Sequence, residues 1–104
     1  MEKTKEQKLA SKQRYLAQEA KAYEMLRAES LYDYIDGLKY AYSFSKRYKK
    51  NLRKFIENSF NEVQAKTPLD KCFKAGILRP WRDTYWFDKD KAESLQQYIL
   101  ENQN

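Results

Sequence analysis

The residues with the clearest chemical potential are the cations of one short segment, Lys46 to Lys54. Six of its nine residues are positive and none is negative, so the segment carries a charge equal to the net +6 of the whole chain. Lys and Arg at this density neutralise phosphate groups and release their counterions. An anionic membrane surface or an acidic protein would attract the same charge. The segment therefore predicts an anionic partner.

Residue types that usually carry catalysis are scarce. The 104 residues include no His and one Cys. A chain without His lacks the commonest general base and metal ligand, and Cys72 on a short amphipathic segment is typical of a core residue. The sequence also lacks a glycine-rich loop that could cradle a phosphate. We therefore expect no enzymatic activity, no metal site and no cofactor.

Length and composition indicate one small, mainly helical domain that spans residues 1–104. A chain of this size buries one modest core, and only two Gly and two Pro residues leave few tight turns. The single Cys favours a reducing compartment, and the longest apolar run is far shorter than a membrane span. We therefore expect a cytoplasmic protein with no membrane partner.

Periodicity and capping signals predict three helices in the first two thirds of the chain. The first is long and ends near Ala28, and the second follows a cap at Ser30. A break is expected at residues 43–45. The third helix would then begin at Ser45 as its N-cap and run to about Ala65.

The last third of the chain predicts a short helix, a hairpin and a final helix. The short helix spans Leu69 to Ala75 and stops at Gly76, a good residue after a helix C-terminus. Two runs of strand-forming residues follow, Ile77–Arg79 and Thr84–Phe87, with a turn between them. The final helix begins after Asp88 as its cap.

Projection of residues 45–63 at 100° per residue separates two faces. The face expected to join the core contains Tyr48, Leu52, Phe55, Ile56, Ser59 and Val63. The opposite face is a basic ridge, extended by Asn61, that contains Lys46, Arg47, Lys50, Arg53 and Lys54. Like charges four residues apart cost a few tenths of a kcal/mol each. The ridge therefore favours a binding surface over an ordinary solvated face.

Nucleic acid is the partner that the ridge fits best, because an α-helix fits the DNA major groove. The side chains suited to reading base edges are Arg47, Arg53 and Asn61. Those suited to holding phosphates are Lys46, Lys50 and Lys54. A membrane surface is less favoured because the apolar face is needed for the core.

The end of the short helix and the hairpin resemble the end of a winged helix-turn-helix domain. Ala75, Gly76, Ile77, Leu78 and Arg79 match the junction that leads from a helix into the two-stranded wing. The resemblance covers residues 30 to 90. It implies a fold class that is mainly α with a small β-hairpin: a winged helix-turn-helix with a long N-terminal helix and a C-terminal helix.

The resemblance leaves two candidates for the recognition helix. Motif position favours the short helix before the wing, whose candidate contacts are Lys66, Thr67, Lys71 and Lys74. Charge favours the longer basic helix. Both interpretations stay open at this point.

The wing supplies three further candidate DNA contacts, Arg79, Trp81 and Arg82, with Arg82 suited to the minor groove. Strand alternation places Tyr85 and Phe87 on one face and Trp86 on the other. At least one aromatic ring must then find cover outside a simple core. The competing interpretation assigns Trp81 and Trp86 to the core or to a dimer interface.

These observations together predict a sequence-specific double-stranded DNA-binding protein. The layout resembles transfer-origin-binding accessory proteins of clostridial conjugative plasmids (the TcpK type). That resemblance implies a plasmid or phage accessory role, with relaxosome or replication proteins as further partners. A homodimer through the heptad-like line of Leu9, Leu16 and Tyr23, or through the final helix, is a further hypothesis.

Two other functions remain open. The chain could be a small helical interaction module, such as a phage-encoded inhibitor that docks on an acidic partner. It could also bind RNA through the basic ridge. Duplex binding with a steep salt dependence separates the DNA hypothesis from both.

Overall fold

The fold is described from a computed structural model, which covers residues 5–59 and 67–103. Within these ranges the elements are α1 (Lys5–Met25), α2 (Leu31–Tyr48), α3 (Leu52–Asn58), α4 (Thr67–Lys74), β1 (Leu78–Trp81), β2 (Thr84–Phe87) and α5 (Lys89–Glu101). The predicted class, mainly α with one small antiparallel hairpin, is confirmed, and so is the order of the elements.

Helix α2 is central, because α1, α3, α4 and α5 all pack against it. Its first turn is capped by Ser30, whose hydroxyl accepts a hydrogen bond from the Asp33 N–H at 3.1 Å. The apolar side chains buried along it recur at helical spacing: Tyr34, Ile35, Leu38, Ala41 and Phe44. The buried side of α2 is therefore one continuous helical face.

The predicted break at residues 43–45 is wrong, because α2 continues through it to Tyr48. Ser45 is buried inside the helix and does not cap a new one. Phe44 explains the difference: its ring lies 5.4 Å from the ring of Tyr15 and 5.4 Å from that of Phe55. These contacts require Phe44 to lie on the buried face of a continuous helix. They outweigh the local preference of serine for helix ends.

The corner between α2 and α3 is built without glycine. Lys49 ends α2 in the left-handed conformation, with φ of 55°, where glycine is the usual residue. Asn51 then caps α3, since its side chain accepts a hydrogen bond from the Lys54 N–H at 3.1 Å. The predicted single helix from Ser45 to Ala65 is therefore two helices that meet at a corner. The last part of that predicted helix, residues 60–65, lies outside the described residues.

Gly37 lies where the end of α1 meets α2. A Cβ atom at this position would lie 2.7 Å from the carbonyl oxygen of Met25. That contact is too short, and the neighbour is backbone, so it cannot rotate away. A glycine inside a helix costs about 1 kcal/mol of propensity, and here it permits the close approach of two helices.

We expect Gly37→Ala to destabilise the protein although alanine is the better helix former. Overpacking costs about 1–3 kcal/mol, which exceeds the propensity gain of about 1 kcal/mol. Thermal unfolding followed by circular dichroism should show a lower Tm. Ser43→Ala, at an exposed position of the same helix, is the control and should leave Tm unchanged or raise it. An unchanged Tm for Gly37→Ala would contradict the steric argument.

Strands β1 and β2 form an antiparallel hairpin in which buried Leu78 pairs with buried Phe87. The first strand begins one residue later and ends two residues later than predicted, so Pro80 is part of it. The turn therefore shortens to Arg82 and Asp83. Arg82 adopts a positive φ of 56°, a region that two-residue hairpin turns usually fill with glycine, Asn or Asp.

Helix α5 packs against the N-terminal half of α2 through the buried side chain of Gln96. The amide of Gln96 accepts a hydrogen bond from the Lys39 ammonium and donates to the Asp36 carboxylate at 2.8 Å. It also donates to the backbone oxygen of Tyr32 at 3.0 Å. On its outer side α5 carries three acidic residues around a shallow cleft: Asp90, Glu93 and Glu101.

Candidate nucleic-acid interface

The cations predicted to form a ridge on one helix lie instead at the corner between α2 and α3. We call this surface the basic corner; its members are Lys46, Arg47, Lys49, Lys50, Arg53 and Lys54. All six residues are exposed. Tyr48 is half-buried, and the residues predicted to face the core are buried at Leu52, Phe55, Ile56 and Ser59. Val63 and Asn61 lie outside the described residues.

The hairpin tip is hydrogen-bonded to the basic corner. The Asn51 side chain donates to the backbone oxygen of Asp83 at 3.1 Å. The Arg53 N–H donates to the Thr84 hydroxyl at 3.4 Å, and the Arg53 guanidinium lies 5.8 Å from the ring centroid of Tyr85. The start of α3 and the tip of the hairpin are therefore held together.

A cleft of about 160 Å³ separates the end of α2 from β2. Lys46 and Lys50 line one side, and Thr84 and Tyr85 line the other. The buried Ser45 hydroxyl also lines it and has no hydrogen-bond partner among the described residues. Ammonium and hydroxyl groups around one cleft can donate charge-assisted hydrogen bonds to a phosphate.

Most of the charge at the basic corner is not neutralised by the described part of the chain. Within residues 5–59 and 67–103, Arg53 is the one member within ion-pair distance of a carboxylate, at 3.0 Å from Glu57. That hydrogen bond raises the pKa of Arg53. Lys50 lies 5.6 Å from the ring centroid of Tyr15, a contact that positions a cation without cancelling its charge.

The outer side of the hairpin carries both tryptophans of the chain. Trp81 is 50% exposed and Trp86 is 43% exposed, and their ring centroids lie 6.4 Å apart. The guanidinium of Arg79 lies 5.5 Å from the Trp86 ring, and that of Arg82 lies 5.7 Å from the Trp81 ring. We call these four residues the outer hairpin face.

Trp86 is the member of this face that was missing from the predicted DNA contacts. Its position was predictable, because strand alternation places it opposite Tyr85 and Phe87, and the register confirms this arrangement. Its pairing with Arg79 across the strands is the signal that sequence reasoning overlooked.

The other predicted contacts lie apart from the cleft. Thr67, Lys71 and Lys74 are exposed on α4, whereas Lys66 lies outside the described residues. Helix α4 reaches the hairpin through Phe73, whose ring lies 5.1 Å from that of Tyr85. Arg47 faces the α1 side of α2, where it lines a separate cleft with Gln18, Tyr40, Ser43 and Phe44.

Cys72 belongs to the core. It is fully buried, and burial raises the pKa of its thiol to about 12. Because the thiolate is the reactive form of cysteine, the raised pKa lowers the reactivity of this thiol at neutral pH. Among the residues that the structure covers, no group of three or more His, Cys, Asp and Glu side chains is placed to hold a metal ion.

No family model, curated protein or solved structure matches this chain. The resemblance to winged helix domains therefore stays a prediction, based on residues 75–79. In the described ranges no helix has both the length and the apolar character needed to cross a membrane.

If the wing contacts duplex DNA as predicted, Arg82→Gly should weaken that binding while leaving stability unchanged or raising it. A non-glycine residue in the left-handed region costs about 1–2 kcal/mol, and Arg82→Gly removes this strain. Glycine also makes the unfolded chain more flexible, which offsets about 0.4–1 kcal/mol of the stability gained. Arg82→Ala removes the same charge but keeps the strain. If both variants lose the same affinity and the glycine variant has the higher Tm, the result supports both the role of the Arg82 charge in binding and the strain at this position. A lower Tm for glycine than for alanine would contradict the assignment of strain.

Proposed function

We propose that this chain is a sequence-specific double-stranded DNA-binding protein with a winged helix-turn-helix fold, in which the hairpin is the wing. The observation that carries the proposal is the bonding of the hairpin tip to the basic corner through Asn51 and Arg53. This bonding presents cations from α2, α3 and the hairpin to one polyanion. The order of α2, α3, α4 and the hairpin supports the same fold.

The basic corner is proposed to hold phosphates. Its cations are divided between the end of α2, a turn and the start of α3, so they do not form a straight helix that could lie along a groove. Backbone contacts position a protein on the duplex without reading its sequence. Lys46 and Lys50, on one side of the cleft, are the central phosphate ligands in this arrangement.

Helix α4 is proposed to read the bases. It directly precedes the hairpin, as the recognition helix does in the winged helix family, and it exposes Lys71 and Lys74. Lys can pair with the O6 and N7 acceptors of guanine in the major groove. An α-helix with its side chains is about 10–12 Å in diameter, which fits the major-groove width of about 12 Å.

The biological setting is proposed from the resemblance alone. A plasmid or phage accessory role in a bacterial cytoplasm, such as binding an origin of transfer, fits a small DNA-binding protein. A homodimer on paired half-sites would fit the same role. Relaxosome or replication proteins would then be the further partners.

The test is duplex DNA binding measured by fluorescence anisotropy across a series of salt concentrations. The logarithm of the binding constant should fall linearly with the logarithm of salt, with a slope of about 0.9 per phosphate contact. Selection from a random duplex library at fixed salt then identifies the preferred site. The proposal fails if duplex binding is absent at low salt, and sequence specificity fails if selected and scrambled duplexes bind equally.

A further inference from the structure

We propose that the outer hairpin face binds unpaired nucleotides of single-stranded DNA. This inference rests on the proposed function, because it places those nucleotides beside the duplex that the basic corner holds. The four residues of the face are Arg79, Trp81, Arg82 and Trp86.

The two indole rings offer surfaces on which bases can stack. Both are about half exposed although they lie in the same small hairpin. Buried Leu78 and Phe87 anchor the hairpin from its opposite side, so the tryptophans are not required to fill the core. Base stacking on aromatic side chains is the recurring means of binding single strands without sequence preference.

The spacing of the rings favours an extended single strand over a duplex groove. The centroids lie 6.4 Å apart at an interplanar angle of 63°. Stacked bases rise about 3.4 Å each along one strand, so these two rings suit bases that are separated from one another. The minor groove of B-DNA is about 6 Å wide, which is too narrow for two indoles side by side.

The flanking charges match a nucleic acid backbone. Arg79 and Arg82 lie 5.5 Å and 5.7 Å from the ring centroids of their respective tryptophans. Each guanidinium lies over one face of its indole ring, so the opposite face is the one on which a base can stack. An arginine in this position can contact the phosphate of the stacked nucleotide.

The outer hairpin face is continuous with the basic corner. Thr84 pairs with Trp81 across the two strands, and the same threonine accepts the hydrogen bond from the Arg53 N–H. A polyanion held at the corner can therefore extend across Thr84 onto the tryptophans. An acidic protein has no phosphate groups for the cleft and no bases for the indole rings. Single-stranded DNA therefore fits the combined surface better than an acidic protein does.

The experiment compares a blunt DNA duplex with the same duplex carrying a single-stranded thymidine tail. Because both tryptophans of the chain lie on this face, intrinsic tryptophan fluorescence reports on it alone. The tailed duplex should quench this fluorescence and bind at least about fivefold more tightly for each ring engaged. The blunt duplex should bind without comparable quenching.

Substitutions identify the face that is responsible. Trp81→Leu with Trp86→Leu should abolish the advantage of the tail, so that this variant binds the tailed and the blunt duplex with equal affinity. Replacing both rings by Phe should restore part of the advantage, because stacking needs an aromatic ring. The matched control is Tyr98→Leu, which removes a 63% exposed ring from α5 and should change neither affinity. Circular dichroism verifies that each variant folds.

Each outcome separates the two proposals. Equal affinities for tailed and blunt duplexes, or a tail advantage that survives the double leucine variant, would overturn this inference and leave the proposed function standing. If the tailed duplex quenches the fluorescence and binds, whereas the blunt duplex does not bind at any salt concentration, the proposed duplex recognition would be overturned and the outer hairpin face would remain a single-strand site. Equal quenching by polyglutamate at matched charge would overturn the stacking assignment in favour of an acidic protein partner.

Discussion

The double substitution Lys46→Glu and Lys50→Glu is expected to lower the affinity for duplex DNA by about a hundredfold or more at roughly 0.1 M salt. Both lysines line the cleft that faces Thr84 and Tyr85. The change removes two cations from the proposed phosphate site and places two carboxylates there. The slope of the salt dependence should also decrease by about 2, one unit for each lost phosphate contact.

The control for this prediction is Lys89→Glu with Lys91→Glu. Both lysines are exposed on α5, which packs against the N-terminal half of α2, so the control produces the same change in net charge away from the corner. Anisotropy titrations of both variants should show a large loss for the corner and a small one for α5. Equal losses would mean that net charge alone governs binding, and the basic corner would not be the binding site.

Leu38→Ala is expected to have the largest effect on stability. Leu38 is fully buried in α2, against which α1, α3, α4 and α5 pack. Truncating a buried leucine costs about 2–5 kcal/mol, because the lost transfer energy adds to that of the cavity left behind. Since small domains have about 5–15 kcal/mol of stability in total, a large share would disappear. Urea unfolding should show a lower midpoint, and Tm should fall by about 4–8 °C for each kcal/mol.

Leu16→Ala is the matched control for this change. The same atoms are removed, but Leu16 is 48% exposed on α1, and we expect a change within about 0.5 kcal/mol. Similar losses at both positions would indicate that α1 is covered by another surface in solution, which would support the predicted dimer through Leu9 and Leu16. A negligible loss for Leu38→Ala would contradict the central position of α2.

Most of the fold was predictable because its signals are local. The caps at Ser30 and Asp88 are side chains that accept a hydrogen bond from an N–H three residues later, so they can be recognised in the sequence. Gly76 ends the turn after α4 with a positive φ of 77°. The bounds of β2 at Thr84–Phe87 agree with the prediction to the residue, since alternating strand formers follow a turn.

The failures have tertiary causes. The end of α2 was placed too early because serines at 43 and 45 resemble caps, whereas the packing of Phe44 against α1 and α3 decides the matter. The partners of Gln96 lie 57 to 64 residues away in the chain, and no local pattern indicates them. For the candidate site, the exposed cations were predictable, but the bond between Asn51 and the hairpin was not.

The placement of α5 makes the molecule electrically asymmetric along α2. Gln96 holds α5 against the N-terminal half of that helix, and the acidic outer side of α5 is therefore remote from the basic corner, which lies at the C-terminal end. An 18-residue helix is about 27 Å long, so the two charges are well separated. Helix α5 has two lysines and three carboxylates and therefore a net charge of −1, against +6 at the basic corner. If the partner is a polyanion, as proposed, we expect this asymmetry to orient the basic corner toward it and to raise the association rate in a way that weakens as salt is added.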